Sequence, residues 1–529
     1  MACVFATVRY MVSRVCVSEY LVDCVTPPNH KMSKRHAHEE VEEREEEEHI
    51  GAGSLAPPPA KRPAPEDPTV GFNVAVPLCP EQEAALNIVT RTRLNVCITG
   101  GPGTGKSVLL THILRKLKAK WVKDPDAILT SSSTAGSAFN LGVSAVTFHS
   151  ALGLGLGDRP AEKIARYMKK ERRQLLKSIN VLILDEYSMI SDQLLDLADG
   201  VLQRVRGNKD PFGGVQLVVF GDALQLPPVS KDPKNPVRSC IFARAWRAAK
   251  FSVLLLRQIH RTKDAELCAA LADIRVGGPK HDGVLLPSTL ATLRRMKRAP
   301  PAGDQRPYQY PHVASAKKRN AEELGKINDF QHTYTAVDKF SADLDYYERE
   351  SADRALSAMP IERSLALKKG ARVMYLVNTD QLRGLVNNAL GTVIGFEGPE
   401  NWPIVRFDAE RTGTATVKPT NQDINGLHSR VLATRTQIPL TLAWGITTHK
   451  CQGMTMKSCV HLLNCFESGQ IYVALSRGRD LEDTIIMDDV PVRPIKPPLP
   501  EIIQWYEALE KGPTIEEAWM RIGKQAVCY

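Results

Sequence analysis

Short apolar runs that end in glycine or in paired polar residues alternate along this chain with segments whose apolar positions recur every three to four residues. Asn95–Thr99, Ala127–Ser131, Val181–Glu186 and Val215–Val229 are runs of the first kind and predict strands, the last continuing into a polar loop. Leu78–Val89, with Ala85, Leu86 and Val89 at helical spacing, Val108–Lys118 and Ala161–Lys177 predict helices. The alternation defines an α/β fold. Past residue 254 a second α/β unit begins. Asp264–Arg275 is helical by Leu267, Leu271 and Ile274, and Gly277-Gly278 stops it. The Pro, Arg and Lys content between Pro279 and Pro311 predicts an exposed basic connection. Ala371–Leu376, Leu390–Phe396, Pro403–Phe407 and Thr414–Pro419 predict short strands separated by turn residues, consistent with a small β-barrel. Pro439–Gly445, Lys457–Leu463 and Tyr472–Leu475 predict strands returning to the second α/β core. After Asp489 the chain is Pro-rich and ends in a short acidic helix.

Charge sharpens this picture. The 529 residues carry a formal net charge of +10, but residues 1–76 hold 8 Lys/Arg against 12 Asp/Glu, which leaves +14 on the remainder. Glu39–Glu48 is almost wholly acidic and Leu55–Pro68 is rich in Pro and Ala, so residues 1–76 are expected to be disordered, with order beginning near Pro77. A basic body suggests a polyanionic partner, with plain solubility as the alternative. Arg9 and Arg14 among apolar residues read as a weak mitochondrial presequence, or else Met32 is the working start. Lys34-Arg35 and Lys61-Arg62 are basic pairs of the kind that serve nuclear import, or ordinary solvated charge. The expected location is the nucleus, with the mitochondrion as a second address, or a host nucleus for a viral source. The 11 cysteines form no CxxC pair and no metal-spaced cluster, and Cys97, Cys268 and Cys459 read as small core residues in a reduced, intracellular protein. No apolar run approaches the ~18 residues of a membrane span, so a soluble chain without a membrane partner is expected.

The strongest chemical signal lies between the first strand and its helix. Gly100, Gly101, Pro102, Gly103, Thr104, Gly105, Lys106 and Ser107 fit GxxxxGK[ST], the phosphate-binding P-loop. Backbone N–H groups and the helix N-terminus would surround phosphate oxygens, Lys106 would reach the β- and γ-phosphates, and Ser107 would ligate Mg²⁺. A nucleoside triphosphate is the expected ligand. Val181–Glu186 ends in paired acids, the Walker B arrangement: Asp185 for the metal, Glu186 to orient and deprotonate the attacking water. Gln225 reads as a γ-phosphate or water sensor, or equally as a turn glutamine. Gln82 lies where an amide could read an adenine edge, or simply starts a helix. The Ser/Thr/Gly-rich stretch from Ser132 to Gly157 offers phosphate or sugar contacts, or is a plain loop. The seven basic residues of Ala161–Lys177 form either a solvated face or a DNA-facing one.

Taken in order, PEQEAAL with Gln82, GGPGTGKS, SSTAGSAFNLGVSAVTFHS, LILDEYSMI, VVFGDALQLPPV, LALKKGARVMYLVNTD, LVNNALGTVIGF, PLTLAWGITTHKCQGMT and GQIYVALSRGRDLED resemble the Pif-one-like DNA helicases, in the RecD-related 5′→3′ branch of superfamily 1 (1B), over roughly residues 78–488. The resemblance implies two RecA-like P-loop NTPase domains: 77–255, with a small wedge subdomain near 150–178, and 256–488, with a Src-homology-like β-barrel inserted at about 335–437. Residues 489–529 would be a C-terminal tail. It implies ATP and Mg²⁺ as cofactors, and single-stranded and duplex DNA as partners of a monomer active in replication, repair, recombination or telomere maintenance. By spacing, the first arginine finger falls on Arg261, with Thr262 in place of the family's glutamine and Arg257 as the fallback; Arg477 matches the second. Gln452 and Gly453 match a phosphate-side pair, with Cys451 where serine is common. Thr147, His149, His449 and Lys450 match DNA contacts. Asn388 stands where the family often has glycine, and asparagine tolerates the left-handed conformation. Other readings are an RNA helicase, a protein-stripping translocase, or a nucleotide-dependent DNA-binding scaffold without catalysis.

Overall fold

The computed structural model describes residues 76–133, 146–229 except 156, 237–410 except 345, 358, 360, 378, 381, 382 and 386, then 412–425, 431–490 and 494–523. The acidic and Pro-rich N-terminal tract, and residues 134–145 of the Ser/Thr/Gly-rich stretch, lie outside them.

Six parallel strands make the first sheet: β1 Val96–Thr99, β2 Ile128–Ser132, β3 Val146–Thr147, β4 Val181–Asp185, β5 Gln216–Gly221 and β6 Ser252–Leu255, in the order β3-β2-β4-β5-β1-β6. Successive side chains leave a strand on opposite faces, so each strand feeds two cores. Val96, Ile98, Ile183, Val218 and Phe220 pack on the helices Pro80–Arg91 and Lys106–Lys120. Cys97, Leu182, Leu184, Leu217 and Val219 pack on the other side, where the helix Asp192–Arg206 lies. Thr99 is paired with Gly221 in register, and Ser132 with Asp185. The carboxyl ends of β1, β4 and β5 therefore open at one edge, where ligands of open parallel sheets bind.

The second unit holds a four-stranded parallel sheet in the order Gly445–Thr447, Tyr308–Tyr310, Ser458–Val460, Thr484–Ile486. Between Tyr308–Tyr310 and Gly445–Thr447 the chain detours through three small antiparallel sheets whose strands run from His332 to Leu442, slightly wider than the expected 335–437. Val373, Val393, Val405, Phe407 and Leu440 fill their core. Asn388 has φ +71°, the left-handed conformation expected of it.

Four expectations need correction. Residues 279–311 are not merely a connection: they contain the helix Pro287–Met296 and the inner strand Tyr308–Tyr310. Tyr472–Leu475 is not a strand but part of the helix Gln470–Leu475, all six residues buried; an apolar run that short has no period to betray its type. Ala161–Lys177 is two helices, Ala161–Arg166 and Lys170–Ser178, and Arg173 of the second hydrogen-bonds the carbonyls of Ala165 and Arg166 at the end of the first. The described residues after Asp489 are not a tail: the helix Pro500–Glu510 sinks Ile502, Ile503, Trp505, Tyr506 and Leu509 into the first core, on the Asp192–Arg206 side of the sheet, and Ile515 joins the core on the Pro80–Arg91 side. Cys97 and Cys459 are buried as expected, while Cys268 is only partly so. No helix among the described residues is long and apolar enough to cross a membrane.

Candidate nucleotide and nucleic-acid site

The loop from β1 into the helix Lys106–Lys120 is shaped by Gly103 and Gly105, at φ +83° and +78°. A side chain on Gly103 would place its Cβ 2.5 Å from the Cβ of Arg261, so the loop and the arginine need that glycine. Lys106 Nζ donates to the carbonyls of Gly100 (2.6 Å) and Gly101 (2.9 Å), and Thr104 Oγ1 donates to Gly101 O (2.9 Å). Burial lowers the Lys106 ammonium from its ordinary value, opposed by Asp222, Glu186 and Asp185. Pro102 lies within this loop, and Ser107 stands exposed in the first helical turn. Gln82 is buried against the loop: its amide donates to Thr104 O (3.3 Å) and accepts from Cys79 N (3.1 Å).

Asp185 closes β4, and Glu186 follows at φ +54° in the left-handed conformation. Burial first, then the Glu186 charge, push the Asp185 carboxyl up to about 8. That penalty is what a bound cation would relieve. From the second unit, Gln452 Nε2 lies 3.3 Å from Glu186 Oε2 and 3.3 Å from Ser188 Oγ, while a Cβ on Gly453 would sit 3.8 Å from Glu186 Oε1. Gln452 Oε1 and Gln225 Oε1 are buried acceptors without a protein partner. A buried amide oxygen without a partner costs free energy, so both mark places where a donor or a water belongs. The residues therefore fit a triphosphate with Mg²⁺.

Arg261 and Arg257 separate cleanly. Arg261 N donates to Gly103 O (3.2 Å), and its guanidinium reaches Ser476 O (2.7 Å), next to Arg477. Burial, then Arg477, lower the Arg261 guanidinium to about 10. Arg257 instead donates to Leu509 O (3.1 Å) and Glu510 O (3.3 Å), at the end of the C-terminal helix. Arg477 is fully buried and donates to Val473 O (2.7 Å) and Met454 O (3.2 Å); Glu186 is the first charge that favours its ionised form. Thr262 is buried and its hydroxyl accepts from Asp264 N, the residue that caps the helix Ala265–Val276. Cys451 is buried against Thr447 O.

Of the DNA-side residues, Thr147 caps the helix Phe148–Leu152 by accepting from Ser150 N, with His149 in that helix. His449 and Lys450 follow the strand Gly445–Thr447, Lys450 exposed and His449 half-buried. Phe466, missed in the sequence, stands 49% exposed with its ring stacked on His312 (centroids 4.9 Å, 25°) and on His449 (6.3 Å, 21°). These three side chains follow the carboxyl ends of three adjacent strands. Its only sequence signal is an aromatic three residues before Gly469. Asp222, Arg275, Tyr472 and Tyr506 were also missed, because they meet only in the folded chain.

A P-loop and Walker B pair on one parallel sheet, faced by Arg477 and Gln452 from a second with Arg261 between them, define a two-domain P-loop NTPase fold of the helicase class. Residues 78–273 match the family described as PIF1-like helicase, and residues 353–396 match the DNA helicase Pif1 2B domain. The crystal structure of Pif1 helicase from Candida albicans is 30% identical, with TM-score 0.73 over 82% of this chain and 100% of that one. Pif1 helicase from Bacteroides in complex with ADP-AlF3 and ssDNA is 29% identical, with TM-score 0.64 over 82% and 98%. The ATP-dependent DNA helicase PIF1 of Xenopus laevis is 35% identical over 84% of this chain and 66% of its own length; the human protein is 33% identical over 82% and 64%. The chain belongs to the PIF1-like helicase family. It spans less than two thirds of the full length of those two relatives.

Proposed function

We propose that this chain is an ATP-dependent DNA helicase that moves 5′→3′ along single-stranded DNA and separates the duplex ahead. The observation that carries the reading is the closed set around one crevice: Lys106, Asp185 and Glu186 from one sheet, with Gln452 and Arg477 from the other and Arg261 between them. ATP would lie along the P-loop, its γ-phosphate displacing Lys106 from the Gly100 and Gly101 carbonyls. Ser107 and Asp185 are the residues that would hold Mg²⁺, which would supply neutralisation of phosphate charge there. Glu186 takes the proton of the attacking water while Gln452 and Gln225 orient it. Arg261 and Arg477 stabilise charge on the transferring phosphoryl group, an effect of ~10³–10⁵ in rate for one arginine finger. Because they report on the second sheet, hydrolysis follows closure of the two units.

The DNA reading is supported by relatives named as DNA helicases, by a neighbour solved with ssDNA, and by the basic body of the chain. Phosphate contacts from Thr147, His149 and Lys450, with bases stacking on Phe466 and His449, would bind a strand without regard to sequence. The working unit in this reading is a monomer, although one neighbour concerns unwinding at forked dsDNA by two coordinating Pif1 helicases. Nuclear residence, in genome replication and repair, belongs to the same proposal.

Strand displacement on substrates with a 5′ or a 3′ single-stranded overhang tests it. Displacement with ATP from the 5′ overhang alone, abolished by Lys106→Ala, is the expected result. Displacement only from the 3′ overhang, or turnover retained in Lys106→Ala, would overturn it.

A further inference from the structure

The C-terminal helix Pro500–Glu510 does more than complete the first core. Its Tyr506 Oη donates to Asp222 Oδ1 (2.8 Å) and accepts from Ala223 N (3.1 Å). Thr99 Oγ1 lies on the same oxygen, and Tyr187 Oη lies 3.1 Å from Thr99 Oγ1. A phenol has one proton. With that proton on Asp222, Tyr506 can only accept from Thr99, whose one hydroxyl proton also faces Gly221 O (3.2 Å), so a shared polar network joins Tyr187, the residue after Glu186, to the Asp222 carboxylate. On its far side Asp222 meets Arg275, at 2.9 Å, from the helix that opens the second unit. The Arg275 guanidinium also lies 4.4 Å over the Tyr506 ring. Asp222 is wholly buried, and burying such a charge is tolerated only with partners on all sides. Two more contacts tie the same helix to the boundary between the units: Arg257 on the carbonyls of Leu509 and Glu510, and Glu507 on His281 (3.3 Å).

We propose that Tyr506 is a positioning residue of the nucleotide site, holding Asp222 between the P-loop strand and Arg275 so that Lys106 and the Walker B turn keep their geometry when the units move. Asp222 is the first charge favouring the ionised Lys106. The C-terminal helix is thus a strap across the hinge, acting on hydrolysis through one hydroxyl. This rests on the hydrolysis part of the proposed function, not on its DNA part.

A double-mutant cycle in the full chain tests it, with ATP turnover normalised to the number of sites that bind a fluorescent ATP analogue. Tyr506→Phe removes one oxygen and is expected to lower kcat per site about tenfold, the scale of a lost hydrogen bond to a charge, with KM for ATP within about twofold. Asp222→Asn should lower kcat at least as much. In the Asp222→Asn background Tyr506→Phe should change kcat by less than about twofold, because its target is gone. Additive losses, or unchanged kcat in Tyr506→Phe, would overturn the proposal, since a purely structural tyrosine changes the number of sites and not their turnover. Should Tyr506→Phe not fold, Arg275→Gln takes its place in the cycle with the same expected non-additivity, and additivity there overturns it equally. Wild-type turnover indifferent to single-stranded DNA would count against the motor reading and leave the cycle readable.

Discussion

Arg261 bridges the two units: its backbone N–H donates to Gly103 O in the P-loop at 3.2 Å, and its guanidinium donates to Ser476 O beside Arg477 at 2.7 Å. Arg257, four residues earlier, holds the last carbonyls of the C-terminal helix instead. The two arginines should therefore fail in different ways. Arg261→Ala is expected to cut ATP turnover by about 10³-fold while nucleotide binding persists. Arg257→Ala should leave kcat within about twofold and lower stability by about 1 kcal/mol, as loss of a side-chain hydrogen bond does. Steady-state kinetics beside thermal melts separate them; the reverse pattern would reassign the finger to Arg257.

Removal of the C-terminal helix should be far worse than the loss of a tail. Five apolar or aromatic side chains of Pro500–Glu510 are buried in the first core. Each contributes about 1.5–3 kcal/mol, so their sum rivals the whole ~5–15 kcal/mol margin of a folded protein. A chain ending at residue 498 is expected to be insoluble or to melt without a cooperative transition, read by circular dichroism and size exclusion. A soluble truncation with a wild-type melt would refute this account of the first core.

Phe466→Ala should weaken binding of a single-stranded oligonucleotide by about 10–100-fold, the worth of one stacked base at ~1–3 kcal/mol, without changing affinity for the ATP analogue. Fluorescence anisotropy at fixed salt reads both. The half-exposed ring contributes little to the core, so an equal loss of nucleotide binding would mean that it acts on the fold.

Asp222 gives a pH signature. Burial would raise its carboxyl, but Arg275 and then Lys106 outweigh that and hold it below the ordinary 3.8. A carboxyl depressed in the folded state contributes stability above its unfolded value, and that contribution disappears as pH falls through the folded one. Asp222→Asn should therefore be destabilised at pH 7, and its deficit against wild type should shrink below about pH 3.8. Urea melts between pH 7 and pH 3 measure the gap; a gap constant across that range would mean that Asp222 is not ionised in the folded protein.

The first sheet, its helices and the P-loop were legible because strand, glycine loop and helix occupy one contiguous stretch. The same holds for Asp185-Glu186, where a single strand delivers both acids. Arg261 was reachable by counting back from Arg275-Val276-Gly277, since helix length fixes that spacing. Tyr472–Leu475 carries no such signal, because a four-residue apolar run buried on all sides looks alike as strand or helix. The C-terminal helix was undervalued because its apolar face carries no label for the core it enters.

By itself the sequence determined the P-loop and the paired acids Asp185 and Glu186, since each lies within one short segment whose backbone geometry is set locally. Only the tertiary structure decided which distant side chains complete that chemistry. Gln452 comes to Glu186, Phe466 to His449, and Tyr506 to Asp222, the last across 284 positions. Such meetings depend on how two sheets and a returning helix bury their apolar faces together, a sum over the whole core to which no single stretch of sequence gives the answer.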